Sequence, residues 1–364
     1  MRNLHLFFIV TSQTPKTIHL IYKPKQKLQV MKKLILSLVA AIVAATATYA
    51  QSSMLATLSH DGEISTYYGA TALRDAYNAA ANGDVITLSS GSFNAVDIKK
   101  GLTIRGAGMG TDTSMSTEPS VLVGSFTIDI ADTVSSRLTI EGVYNNQNIT
   151  MDRLKDAMFL KNRFWVLNYN SSSIITNLTI IHCRIVSTLY CPPNSSMSFL
   201  NSVIGGPVCV SAKTSNLDFT NCIIHKDNIG NIYYSSFKNC ILVGNTSSDN
   251  WMNSTNTAYN CLNVDDLNST IFRNILTYTN AQDRYSKVFT SYRGGYFVDI
   301  EKFELTDEAK EKYIGMDGTQ VGIYGGNLPF SSTPTNPQIT KCNVAAKSTA
   351  DGKLSVDITV NGAE

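Results

Sequence analysis

The chain of 364 residues is 43% hydrophobic and 16% charged. That is enough apolar material for a sizeable core, which excludes a disordered chain. The net charge of +2 is spread thinly, without the Lys/Arg stripe that holds a phosphate backbone, so nucleic acid is not expected as a partner.

In chain order, Met31-Lys32-Lys33 opens a segment that reads as an export signal. An uncharged run follows from Leu34 to Ala47, and Thr48-Tyr49-Ala50 closes it before Gln51. The run is shorter than the roughly 20 residues a membrane span needs. Cleavage after Ala50 is therefore expected, with no membrane span in the mature protein and a periplasmic, cell-surface or extracellular destination. An export signal belongs at an N-terminus, so residues 1–30 read as a start-site extension and 31–50 as the signal peptide.

Residues Gly69 to Ala81 carry apolar spacing suited to a helix, stopped by Asn82-Gly83-Asp84. A strand at Val85–Leu88 and a turn at Ser89-Ser-Gly91 follow.

The middle of the chain repeats one phrase: Leu178-Thr-Ile-Ile-His-Cys-Arg-Ile185, Met197 to Ile204, Leu217 to Ile224 and Ser235 to Leu242, with a weaker copy ending Asn260-Cys261-Leu262. Aligning on the residue after the Asn places Cys183, Ser202, Cys222, Cys240 and Cys261 at steps of about 20 residues. The same frame runs backward through Arg163, Gly142, Gly124 and Gly106. Short Val/Ile/Thr/Phe segments at this period, with no helical pattern between them, predict an all-β, right-handed parallel β-helix over 51–326. The helix at 69–81 would cap the open end of this solenoid and hide its strand edges. A leucine-rich repeat has a similar period, but Leu-x-Phe-x-Asn is one residue short of its pattern and no helical stretch follows.

In each coil two alternating apolar residues should point inward, Asn should bend the chain, and Cys should point inward from the next strand. Stacking then predicts an amide ladder of Asn162, Asn201, Asn221, Asn239 and Asn260. It also predicts an interior column of Cys183, Cys222, Cys240 and Cys261. In-register parallel strands aim their Cβ bonds the same way, which is poor disulfide geometry, so free and inert thiols are expected. Cys191 and Cys209 receive the same reading.

Beyond Gly326, Leu328-Pro-Phe-Ser-Ser-Thr-Pro-Thr-Asn-Pro337 reads as a linker over 327–337. Residues 338–364 read as a short β segment with two strands around Asp351-Gly352.

The order Ala-Leu…Ala-x-Gly-Asp-x-Ile-x-Leu…Gly-x-Phe near the start, then Lys100-Gly101-Leu102-Thr-Ile-Arg-Gly-Ala-Gly108, resembles secreted pectate-lyase-like β-helix proteins. The string from Ile314 to Gly326 resembles the final coil of such exported bacterial proteins. The resemblance covers roughly residues 55 to 326 and is specific for fold rather than for activity. In a pectate-type lyase it would imply a carboxylate cluster for Ca²⁺ and an Arg or Lys base. No such cluster assembles here, since the adjacent acidic pair Asp265-Asp266 has no matching acids one coil away. No metal site and no cofactor is predicted, Ca²⁺ entering only under the lyase alternative.

Glu141, Asn162 and His182 succeed each other in the bend column with Arg163 and Arg184 beside them, which makes Arg163, Arg184 and Lys161 the weak catalytic candidates. Arg163 breaks the apolar rule of its column, so it either turns outward or is buried against a partner such as Glu141. Tyr190, Tyr233 and Trp251 follow the aligned position by 7 to 11 residues, on the strand that floors the saccharide groove in related β-helix proteins. Flat rings there suit sugar faces. The expected function is an exported β-helix protein that engages polysaccharide. The alternatives are a polysaccharide lyase and a surface adhesin, and the oligomeric state is left open.

Overall fold

The computed structural model describes residues 54–361 except 111–117, 207, 211–215, 226–233, 244–254, 265–273, 276–283, 296, 298–300 and scattered positions within 345–354. The signal segment and the 1–30 extension lie outside the described residues.

The chain forms a parallel β-solenoid of about 7 turns. Nine strands of an 11-stranded sheet run from Val85–Leu88 through Thr103–Arg105, Thr139–Glu141, Met158–Leu160, Leu178–Ile181, Ser196–Leu200, Asn216–Thr220 and Ser236–Lys238 to Thr257–Tyr259, all parallel and in register. Its inward column is Ile86, Ile104, Ile140, Phe159, Ile180, Phe199, Phe219, Phe237 and Ala258, all buried. Like residues stack coil on coil: the rings of Phe199 and Phe219 lie 4.6 Å apart and those of Phe219 and Phe237 lie 5.1 Å apart, nearly parallel. Register stacking thus turns a sequence repeat into a packed core.

The chain leaves this sheet through a single residue with positive φ in each coil: Gly142, Lys161, His182, Asn201, Asn221, Asn239 and Asn260. Asn is the non-glycine residue best suited to the left-handed region, which explains its recurrence in the later coils. In one coil Lys161 takes the bend at φ 54°, so Asn162 falls one place further on, inside the column of Cys183. The expected place of Asn162 in the ladder is therefore corrected. The shift also moves Arg163 out of the cysteine column, since its Cα partner is Arg184. Gly124 is not a bend either: Ser120–Val123 belongs to the second sheet, between Gly91–Asn94 and Val143–Lys155. The coil from Gly106 to Gly142 carries extra residues, which a constant period cannot accommodate.

The N-terminal end is closed by the expected helix, Ala72–Ala79, and by a hairpin of Leu55–His60 and Glu63–Tyr68 that pairs antiparallel with Val85–Leu88. The helix C-terminus is held by Lys100, whose ammonium donates to the Tyr77 and Ala80 carbonyls at 2.6 and 2.7 Å, as the unsatisfied carbonyls of a helix end require.

At the other end, the short helices Arg284–Val288 and Asp307–Lys312 build a second core on the outside of the second sheet. Val203, Ile223, Ile241 and Leu262 face outward there and are covered by Phe289, Tyr292, Phe303, Leu305, Val321 and Ile323. From Ile314 to Asn336 the chain then runs back across the bends of successive coils. The stretch from Ile314 to Gly326 is therefore not a final coil. It meets Asn260, Asn239, Asn221 and Asn201 in turn, and its glycines allow this approach: a Cβ on Gly315 would stand 2.6 Å from Asn239, and one on Gly322 would stand 2.6 Å from Ile241. A two-stranded antiparallel sheet, Gln338–Val344 with Val356–Asn361, ends the described chain.

Candidate functional site

The coil strands of the first sheet are three to five residues long, but two strands of the second sheet reach 13 and 14 residues, Val143–Lys155 and Arg163–Thr176. With Arg184–Cys191 they make a broad flank that the second core does not cover. A corner divides it. Asn145 is fully buried there, donating to the carbonyls of Leu122 at 2.7 Å and Gly124 at 2.9 Å and accepting from the Gln147 amide at 3.0 Å. These bonds hold the corner closed and leave Asn146, Gln147 and Asn148 exposed.

On the next strand the register shifts between Phe164 and Val166. With Phe164 buried, strand alternation points Trp165 outward beside this shift, where it is 45% exposed. To one side of this corner the guanidinium of Arg163 lies 4.3 Å from the ring centroid of Tyr144. To the other side the rings of Tyr169 and Tyr190 meet edge-on at 6.5 Å. Arg163 therefore does turn outward, beside the aromatic face of Tyr144. Of the three expected aromatics, Tyr190 stands half-buried on this flank, opposite Cys209 in the ladder. Tyr233 and Trp251 lie outside the described residues. Trp165, Tyr144 and Tyr169 were not singled out by the repeat, because they fall between its phrases. The stretch from Arg163 to Thr176, unbroken by Gly or Pro, is the signal that marks Trp165 and Tyr169, and the pairing of Arg163 with Tyr144 adds the third.

The other two candidate cations are covered. Lys161 donates to the Thr333 carbonyl at 2.7 Å, and burial holds its ammonium below the usual lysine range, with Glu141 acting the other way. Arg184 is 2% exposed, donates to the Glu301 carbonyl at 2.7 Å and lies 5.3 Å from the Phe330 ring. Only Arg163 of the three reaches the open flank. Glu141 pairs with Arg105 at 3.4 Å and receives the Thr335 hydroxyl.

The bend asparagines do not bond to one another as a ladder would. Asn201 donates to the Ile323 and Gly325 carbonyls, both at 2.8 Å. Asn239 accepts from the Met316 amide at 2.8 Å and donates to Asp317 at 3.2 Å, and Asn260 donates to the Ile314 carbonyl at 3.3 Å. Asn221 hydrogen-bonds Asp317. In the left-handed conformation these amides face away from the core, so the partner they meet is the returning chain.

The column after the bend does form a relay. The Val143 amide donates to Asn162 Oδ1, the Asn162 amide to Cys183 Sγ, the Cys183 amide to Ser202 Oγ and the Cys222 amide to Cys240 Sγ, at 3.0 to 3.4 Å. Each of these side chains returns a hydrogen bond to a carbonyl one coil back, as Cys183 does to Phe159 and Cys240 to Phe219. A sharp bend leaves the next N–H without a ladder carbonyl, and a small side chain able both to donate and to accept supplies the partner. Cys183, Cys222, Cys240 and Cys261 are buried free thiols. Burial pushes the Cys183 thiol up to about 12 and raises Cys240 and Cys261 well above the ordinary thiol value. Buried among the coils, Cys183, Cys222 and Cys240 return hydrogen bonds to backbone carbonyls one coil back.

Among the described residues no three His, Cys, Asp or Glu side chains stand together as metal ligands would, and no helix is long and apolar enough to cross a membrane. Asp265 and Asp266 lie outside the described residues. In comparisons with protein-family models, with curated proteins and with solved structures, nothing matches this chain.

Proposed function

We propose that the chain is an exported β-helix protein, related in kind to the pectate-lyase-like solenoids, that engages polysaccharide along the flank formed by Val143–Lys155, Arg163–Thr176 and Arg184–Cys191. The observation that carries this reading is the outward Trp165 at the corner. The Tyr144–Arg163 pair stands on one side of it, the Tyr169–Tyr190 pair on the other, and the exposed amides of Asn146, Gln147 and Asn148 lie alongside. Flat rings stack on the C–H faces of sugars, while planar amides and a guanidinium satisfy hydroxyls. Such a surface holds an extended polymer without a deep pocket.

The test is to pass residues 51–364 over a panel of neutral and acidic polysaccharides and to follow both binding and polymer size. Retention of one polymer, weakened about tenfold by Trp165→Ala with the fold intact, is the expected outcome. If no polymer is retained, or if Trp165→Ala leaves retention unchanged, the reading is wrong. Shortening of a polymer would move the lyase alternative ahead, with Arg163 the first residue to change.

A further inference from the structure

Residues 327–336 lie across the early bends without helix or strand structure, and the contacts that seat them run largely to charged or titratable side chains. The Leu328 carbonyl accepts from His182 Nε2 at 2.9 Å, the Thr333 carbonyl from Lys161, and Thr335 meets Glu141 through its amide and its hydroxyl. The Phe330 ring lies 5.8 Å from the His182 ring and 5.3 Å from the Arg184 guanidinium. The Phe330 amide donates to Ile323, and Asn336 donates to Gly106. The hold is light, with the Leu328 side chain 56% exposed and Pro334 the one buried residue of the stretch.

His182 is the sensitive point. It is only 7% exposed. A carbonyl can only accept, so Nε2 carries the proton and Nδ1 a lone pair that has no hydrogen-bond partner. A second proton on Nδ1 would create a buried cation with no acceptor.

The groups around it do not relieve that cost. Lys161 stands in the coil before, with Glu141 and Arg105 beyond it, and Arg184 lies two residues further on, at the start of the next strand. The bend residue of the next coil is the uncharged Asn201, and the covering residues Asn327 to Phe330 carry no ionisable side chain.

We propose that residues 327–336 form an acid-released latch, seated over the bend column while His182 is neutral and lifted from it when His182 is protonated. Burial, reinforced by Lys161 and opposed by the bond to Leu328, holds the seated imidazole below its ordinary value of 6.5. Seating is therefore favoured in full above that value and weakens as pH falls below it, until the seated imidazole itself is protonated. Release exposes Lys161 and the Phe330-facing side of Arg184 next to Arg163, adding positive charge to one edge of the open flank.

The experiment is amide exchange on the full chain at about pH 7.5 and about pH 5, corrected for intrinsic rates, with an imidazole titration of His182 alongside. The amides of Phe330 and Thr335 should exchange about threefold faster or more at the lower pH, while residues 314–326 stay protected. In His182→Asn, which places at this bend the residue native at 201, 221, 239 and 260, the pH response should vanish. Equal protection at both pH values overturns the latch, as does a response that persists in His182→Asn. A His182 titrating at its ordinary value in the intact protein would overturn it even if the variant failed to fold.

Discussion

The returning chain crosses the bends in two stretches that are held by different means. Residues 314–326 meet Asn bends, bring glycine backbone against their amides and sink Val321 and Ile323 into the second core. Residues 327–336 meet Lys161 and His182, offer Pro, Ser and Thr, and bury little. The outward column beneath changes at the same place, from Tyr144, Arg163 and Arg184 to Val203, Ile223 and Ile241. One solenoid surface is thus permanently covered where its outward residues are aliphatic and lightly covered or open where they are aromatic and charged. Outward composition, which the coil core does not constrain, separates the covered side from the open one.

The sharpest way to break this contrast is to cut into each covering. Phe303 is 1% exposed and packed among Phe289, Tyr292 and Phe297. Phe303→Ala should cost about 3–5 kcal/mol, read as a lowered denaturation midpoint. Phe330→Ala, on the half-buried latch, should change that midpoint far less. An equal loss from both would mean that the two stretches are anchored alike.

A smaller effect is expected at the bends. Asn239→Ala removes both bonds to Met316 and Asp317 and puts alanine at φ 54°, for a cost of about 1–3 kcal/mol in chemical denaturation. Lys161→Asn should be near neutral, since it gives up the single hydrogen bond to the Thr333 carbonyl, together with the cost of partly burying an ammonium, for a residue better suited to the bend. Smaller still, Cys240→Ser should be tolerated because Ser202 already fills that role. Cys240→Ala, by contrast, leaves the Cys222 amide and the Phe219 carbonyl without their partner and should cost about 1–3 kcal/mol. Equal stability of the Ser and Ala variants would show that the column is packing alone.

The repeat made the solenoid, its stacked Phe column and its buried thiols legible, because identical residues at one period have to stack once the strands pair in register. It misplaced Asn162 and Arg163 by one position, since the spacing alone cannot tell whether Lys161 or Asn162 takes the left-handed bend. The N-terminal hairpin was also missed: Glu63–Tyr68 is almost wholly exposed and so carries no alternation to read. Of the flank, Tyr190 and Arg163 were visible in the sequence. Trp165 was not singled out, because it falls between the phrases of the repeat, and aligning the phrases gives no frame for reading alternation there.

By itself, then, the sequence determined the parallel coils, their period and the chemistry of their interior, all of which follow from local alternation and from the few residues that tolerate a sharp bend. Only the tertiary structure decided what covers the outside. Contacts such as those of Asn201 with Ile323, Lys161 with Thr333 and Arg184 with Glu301 join residues more than a hundred positions apart. No periodicity encodes such pairings; they arise when the chain folds back along a surface that the stacked coils have already made.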